Sequence, residues 1–479
     1  MDFQVAVILR LKNIPQTSLK LNPQDYKGLV CFKGRLIDVS KPTPYVYHTV
    51  WSCPEECDGN EIILHCIPKT PPKCYVCRSS LYENSGLRRC GEQLTVTFKL
   101  KNNILPKSFK LQDDLISSIN IGSLYVLNAV IIKKVTVVWS MELIVPLPAP
   151  VVTVAANDIR ELYDACDGLP WKFIYCLAST IGFNICPLNC FIHLKIHLLL
   201  SLASVKANSF NNSHIMHLLV AGFDTGIVGA IMNEAAKLAD TSLVLGTSNT
   251  VVPTALIACS GGTCIMPLPL HAYNRTTLSA ILSSIESDEV VTETSKTNLR
   301  AAVWAQGMDF NKIVVLNVAN VFGTVCRGDY GHHEHELEEY AIERAIEPRQ
   351  INSEEIQAMK DVAHYIDLVA GILVDLSDEA KKMLRIYFLA ARKERPRVVS
   401  VNSMKSLLTT CMTSARLCRR RVADIEDAAF AIWLHVSGCS EPRFAPDEYL
   451  QTPADIKELH KVFEAFKDWL LEFTSTYGY

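Results

Sequence analysis

The sequence lacks any excess of positive charge. Its 47 lysines and arginines stand against 50 acids, a net charge of −3 over 479 residues. A polycation that coats nucleic acid is therefore excluded, and any DNA contact has to come from a local basic patch or from partner subunits. Long hydrophobic runs are lacking as well. The most apolar region, 173–204, is interrupted by Asn184, Pro187, Asn189, His193, Lys195 and His197. It never reaches the ~20 continuous apolar residues of a membrane span, so two buried core helices and no membrane are expected. No basic segment precedes the first apolar stretch and no small-residue cleavage site follows it, so no secretory signal is legible. Repeats of solenoid period are also missing.

What is present describes a folded chain of two or three domains, 49% hydrophobic and 20% charged, with sizeable cores. The 17 cysteines are scattered, and Cys176, Cys186 and Cys190 sit inside apolar runs. That usage suits a reducing compartment, where cysteine acts as a small buried hydrophobe.

Residues 1–145 predict an all-β domain. Short runs rich in Val, Ile, Leu, Tyr and Thr recur at Val5–Leu11, Leu29–Val39, Tyr45–Trp51, Leu94–Leu100, Leu124–Ile132 and Val135–Trp139, separated by turn formers, as in a small barrel. A proline-rich stretch, 145–150, opens a linker over 146–165. From 166 to 330, helical stretches (191–206, 227–239, 272–286) alternate with short strands at His217–Ala221, Ser242–Leu245, Thr263–Met266, Ala301–Trp304 and Lys312–Leu316, a sheet covered by helices. A charged insertion, 331–360, precedes a helical region, 361–435, in which Ser377 with the acids after it makes an N-cap. The tail, 436–479, holds an amphipathic helix near 453–473 with Leu459, Val462, Phe463, Phe466, Trp469, Leu470 and Phe473 on one face. That stripe is expected to dock on the body, with a partner protein as the alternative.

Two cysteine pairs, Cys53 with Cys57 and Cys74 with Cys77, lie sixteen residues apart within 51–80. Two such knuckles can close four thiolates around one structural Zn²⁺ and leave no open position for catalysis. Free thiols or disulfides are the alternative, and His65, Cys66 and Cys90 stand near as substitute ligands.

With that module the sequence resembles the minichromosome maintenance (MCM) family. The carriers are KGLVCFKGRL (27–36) at the entry to the barrel, the four cysteines, LPKSFKLQDDL (105–115) with Gly122 after it, and LSDEAKKML (376–384) with the run 401–434. The resemblance covers roughly 1–435. It implies an N-terminal OB-fold barrel with a zinc-binding hairpin module, then an α/β AAA+ P-loop-type core and a helical lid. The family's helical domain ahead of the barrel is expected to be missing.

The core departs from the family pattern. A working phosphate loop needs glycines, a lysine on the phosphates and a hydroxyl on Mg²⁺. In the run LLVAGFDTGIV (218–228), Gly222 and Thr225 remain, but Ile227 stands in place of the lysine and Val228 in place of the hydroxyl. Met266 and Pro267 replace the two acids expected at the Walker B position. No arginine lies between Lys312 and Arg327, where a finger to a neighbouring nucleotide is expected, and Asn402 falls near the expected lid arginine. The core reads as a degenerate AAA+ domain with no catalytic residues, and ATP is not expected as a cofactor.

Within the family this combination is most like a divergent meiotic member. That likeness implies a nuclear, non-catalytic factor in meiotic homologous recombination and repair of DNA double-strand breaks. Its implied partners are DNA, single-stranded or in recombination intermediates, and other MCM-like or recombination proteins. The competing expectation is a subunit that lends one face of a composite ATPase site in a helicase ring. Lys99, Lys101, Lys107, Lys110, Lys133 and Lys134 are the candidate DNA-binding residues of the barrel, though few aromatics interleave with them. Two clusters, Arg392–Arg397 and Arg416–Arg421, fit phosphate contact, an import signal or a solvated helix face equally. The histidine-rich run 331–340 lacks the second histidine of a hydrolytic zinc helix and reads as a charged loop.

Overall fold

The computed structural model describes residues 28–64, 67–100, 105–132, 135–145, 155–222, 226–247, 251–307, 313–327, 333–346, 353–440 and 443–476. The expected strand at Val5–Leu11 lies outside them, as do His65, Cys66, Lys101, Lys133, Lys134, Thr225 and residues 146–154 of the linker. The chain divides into two compact units at Val145/Pro146, the hairpin tip Thr292–Ser295 aside.

The first unit is a barrel. Its strands are β1 (Gly28–Val39), β2 (Thr43–Ser52), β3 (Glu61–Leu64), β4 (Tyr82–Glu83), β5 (Arg89–Leu100), β6 (Lys107–Gln112), β7 (Leu124–Ile132) and β8 (Val135–Leu143). Five of them close a ring, β1–β7–β8–β6–β5 and back to β1. All pairs are antiparallel except β6 with β8, which meet in parallel at Lys110 and Val137. This is an OB-like barrel, and β2 to β4 form an excursion between its first and second ring strands. Alternation fills it: Leu94, Val96, Phe98 and Leu100 of β5 are buried while the residues between them face out. Phe98 stands edge-on to Phe109 (5.7 Å) and Tyr125 (6.2 Å) at the centre.

The second unit is mixed. Helices α1 (Asn157–Ala165), α2 (Pro170–Ser179) and α3 (Ile192–Asn211) lead into β9 (Leu218–Ala221), α4 (Gly226–Ala236), β10 (Ser242–Val244), α5 (Val252–Ala258), β11 (Thr263–Pro269) and α6 (Arg275–Ser287). A hairpin, β12 (Glu289–Val291) and β13 (Lys296–Asn298), precedes β14 (Ala302–Gly307), α7 (Ile313–Phe322) and β15 (Val325–Arg327). The five core strands run in parallel in the order β10–β11–β14–β9–β15. The remainder is helical: α8 (Glu334–Ile346), α9 (Ser353–Ala370), α10 (Asp378–Glu394), α11 (Val401–Leu417), α12 (Ile425–Gly438) and α13 (Ile456–Thr476), with a two-residue ladder joining β16 (Asp375–Leu376) to β17 (Val422–Ala423).

The apolar region 173–204 forms α2 and most of α3. Every residue of α3 from Ile192 to Ala207 is buried, which explains its all-round hydrophobicity. Among the described residues no helix is long and apolar enough to cross a membrane. Ser377 caps α10, its hydroxyl accepting from the Ala380 amide at 3.1 Å. The α13 stripe packs inward, with Phe463 stacked on Trp171 at 4.7 Å.

Three expectations need correction. The run Lys312–Leu316 was expected as a strand, but its described part belongs to α7, and the fifth core strand is Val325–Arg327. The local β-branched pattern misleads; Gly323, at φ +71°, ends the helix, its amide returning to the Ala319 carbonyl at 2.9 Å. The charged insertion, expected as a loop at 331–340, is helical from Glu334, and α8 has no buried residue. Residue 360, expected to separate insertion from lid, falls inside α9, which buries Val362, Tyr365, Ile366 and Val369.

Candidate metal centre and phosphate-loop region

The cysteine module has almost no core of its own. Trp51, Cys53, Cys74 and Leu81 are its buried residues, with Cys57 and Ile63 packed against them. Two turns bring the sulfurs together. Glu56 and Arg78, beside the second cysteine of each pair, take positive φ (52° and 61°), and Cys74 accepts the Val76 amide on its sulfur at 3.4 Å. Cys57 Sγ lies 3.1 Å from Cys53, 3.3 Å from Cys74 and 3.6 Å from Cys77, and Cys53 is 3.3 Å from Cys77. A disulfide requires about 2.05 Å, whereas a tetrahedral zinc with Zn–S of about 2.3 Å spaces its sulfurs by about 3.8 Å. The cluster has the size of a metal tetrahedron. The backbone also yields to it: a Cβ on Gly59 would stand 2.1 Å from Cys74 Sγ.

Crowding splits the thiols. Hydrogen bonds to Cys53 and Cys74 push Cys57 up to about 12, while the Ser79 hydroxyl and amide pull Cys77 down to about 6. Four neighbouring thiolates repel one another, so ionising all of them needs a cation at the centre. The donor set fits one, and these four cysteines could hold a metal ion. Cys90, the described substitute ligand, is not in the group.

The phosphate-loop position lies between β9 and α4, at the carboxyl end of the sheet where open α/β folds bind ligands. Gly222 opens the turn with φ +79°. Ile227 is half-buried against the main core, and Val228 is 0% exposed within it. On β11, Met266 is likewise 0% exposed. Pro267 sits under α4, since a Cβ on Gly229 would meet its carbonyl oxygen at 3.4 Å. No ammonium or carboxylate is carried by the described residues of these two segments, 226–229 and 263–269. The polar side chains at this edge include Gln306 and Arg327, both buried at the ends of β14 and β15. The sequence reading missed them because each is a single polar residue closing an apolar run. Asn402 donates to the Asn320 and Val321 carbonyls (3.2 and 3.1 Å) and so caps α7.

The described candidate DNA-binding lysines, Lys99, Lys107 and Lys110, do not form one row. Lys110 pairs with Thr95 on the outer face of the barrel, and Lys99 lies opposite Arg35 on that face. Lys107 pairs with Phe98 and so belongs to the inward register. Burial lowers the pKa of both Lys99 and Lys107. Arg35 was missed; it lies opposite Lys99 and donates from Nη1 to the Gly122 carbonyl at 2.7 Å. Trp139, 44% exposed, occupies the bulge of β8 two residues beyond Val137, the partner of Lys110.

The arginine clusters are partly consumed by the fold. Arg395 donates to the Ser440 carbonyl (2.8 Å), Arg416 is buried on the Ile372 carbonyl (3.0 Å), and Arg420 pairs with Asp427 at 2.8 Å.

No family model matches the chain. It is similar to minichromosome maintenance domain-containing protein 2 of Rattus norvegicus, 22% identical over 90% of this chain and 77% of that protein. The same protein of Mus musculus is 22% identical over 75% of this chain and 64% of its own length, and that of Homo sapiens 21% identical over 90% and 77%. A match over nine-tenths of the chain takes in both units.

Proposed function

From its similarity to minichromosome maintenance domain-containing protein 2 over nine-tenths of the chain, we propose that this chain is a divergent MCM-like protein, a non-catalytic factor that promotes meiotic homologous recombination and double-strand break repair. It does so in the nucleus, by binding DNA and partner proteins. The second unit is a degenerate AAA+ core with a helical lid. Its strand order supports this, since in chain order the parallel strands run 2-3-4-1-5, with the candidate phosphate loop after the first.

The observation that carries the non-catalytic reading is the burial of Val228 and Met266. These positions would have to offer a hydroxyl and a carboxylate to Mg²⁺, and both instead contribute apolar side chains to packed core. The four cysteines hold a structural Zn²⁺ that folds the β2–β4 excursion. The barrel supplies the DNA contact through its outer face, where Arg35, Lys99 and Lys110 carry charge and Trp139 offers a stacking ring.

Fluorescence anisotropy with labelled single-stranded DNA tests the reading. Binding is expected without nucleotide and unchanged by ATP. The double variant Lys99→Glu, Lys110→Glu is expected to weaken it at least tenfold and to flatten its salt dependence by about two units of slope. Binding that requires ATP, or that ignores both substitutions, would contradict it.

A further inference from the structure

A second constellation of metal-ligating side chains lies in the second unit. Cys190, His333 and Glu336 come from segments more than 140 residues apart in sequence, yet their ligand atoms all lie within 4.8 Å of one another. Cys190 Sγ is 3.2 Å from Glu336 Oε2, and His333 Nδ1 is 3.7 Å from the same oxygen. Zinc bonds of about 2.0–2.3 Å to nitrogen, oxygen and sulfur give ligand separations of about 3.3–3.6 Å in a tetrahedron.

The local backbone is committed to this arrangement. Cys190 closes a tight turn, its amide on the Pro187 carbonyl at 3.2 Å. Phe191, next in the chain, adopts φ +57°, a left-handed conformation that is a marked outlier for a bulky side chain. Such strain persists where the surroundings demand it and clusters at functional sites. Its result here is that the Phe191 ring lies against the His333 ring, 5.4 Å between centroids, while Cys190 faces Glu336. The buried Lys195 ammonium ties the turn down by donating to the Pro187 and Leu188 carbonyls (3.1 and 3.2 Å). Cys190 is buried and its thiol donates to the Glu336 carboxylate. A divalent cation between them would take the place of that shared proton.

We propose that Cys190, His333 and Glu336 form a second metal site for a Zn²⁺-class ion, with a water in the fourth position. One thiolate, one imidazole and one carboxylate are the mixed soft and hard donors that zinc accepts. Binding releases the Cys190 proton to solvent and clamps α8, which has no buried residue of its own, to the turn before α3. The four-cysteine site is independent of it.

The test is zinc content of the full chain after dialysis against a mild chelator. Two zinc ions per chain are expected. Glu336→Gln, whose side chain is 48% exposed and so leaves folding intact, and His333→Ala are each expected to reduce this to one without changing the circular dichroism. Cys74→Ser is expected to remove the other ion alone. In the Cys74→Ser chain, Co²⁺ is expected to give a single-thiolate charge-transfer band that Cys190→Ala abolishes. One zinc per chain lost only with Cys74, two ions retained in Glu336→Gln, or binding that the chelator strips completely would overturn the assignment.

Discussion

Single residues carry the sharpest consequences. At Gly59 an added Cβ would approach Cys74 Sγ to 2.1 Å, a distance no side chain tolerates. Gly59→Ala is therefore expected to cost the four-cysteine site its metal while the barrel persists. Zinc content with near-ultraviolet circular dichroism checks this; an alanine variant that keeps its metal would show that the module adapts. Gly438 makes the opposite comparison. Its Cβ would meet the Val325 carbonyl oxygen at 2.0 Å, and that atom is backbone of a core strand. Gly438→Ala is expected to destabilise the whole second unit by more than about 2 kcal/mol, seen as a lowered denaturation midpoint.

At the scale of elements, α13 shows how much of the fold was legible. Its stripe could be read from spacing alone, because Leu459, Phe463, Phe466 and Leu470 recur at helical intervals, and all four are buried. Phe463, 0% exposed and stacked on Trp171, is expected to cost about 3–5 kcal/mol on substitution by alanine. A midpoint close to that of the parent chain would mean that α13 is only loosely docked. The barrel strands were legible for the same kind of reason, since period-two alternation is a local property. What failed was non-local. The run at 312–316 is as β-branched as any core strand, and only its place in the packed unit makes it helix. The convergence of Cys190 with His333 and Glu336 leaves no trace in spacing, because 142 intervening residues separate Cys190 from His333. The four cysteines were legible because both pairs sit on short turns whose spacing is itself the signal.

At the scale of the molecule, buried histidines set an acid limit on the second unit. Burial holds His197 and His217 down at about 4, below the unfolded value near 6.5. Between pH 6.5 and 4 the unfolded chain takes up protons that the folded one refuses. Stability is therefore full above 6.5 and lost as the pH falls through that window, by on the order of 2 kcal/mol per histidine at pH 5. Denaturant midpoints at pH 7 and 5 check this, and His217→Gln is expected to reduce the difference; equal midpoints in the parent chain would contradict it.

The same scale holds the central claim, that a motor-like frame has become a platform without nucleotide chemistry. On the proposed reading, its parallel sheet, its glycine turn after β9 and its helical C-terminal part are kept from a motor, while Ile227, Val228, Met266 and Pro267 stand where phosphate and Mg²⁺ would be handled. Isothermal titration of the zinc-loaded chain with ATP and Mg²⁺, with and without single-stranded DNA, tests that claim most directly. The account predicts no saturable heat up to millimolar ATP. Saturable binding would contradict it, place a working phosphate site elsewhere in the second unit, and move the composite-ATPase subunit ahead.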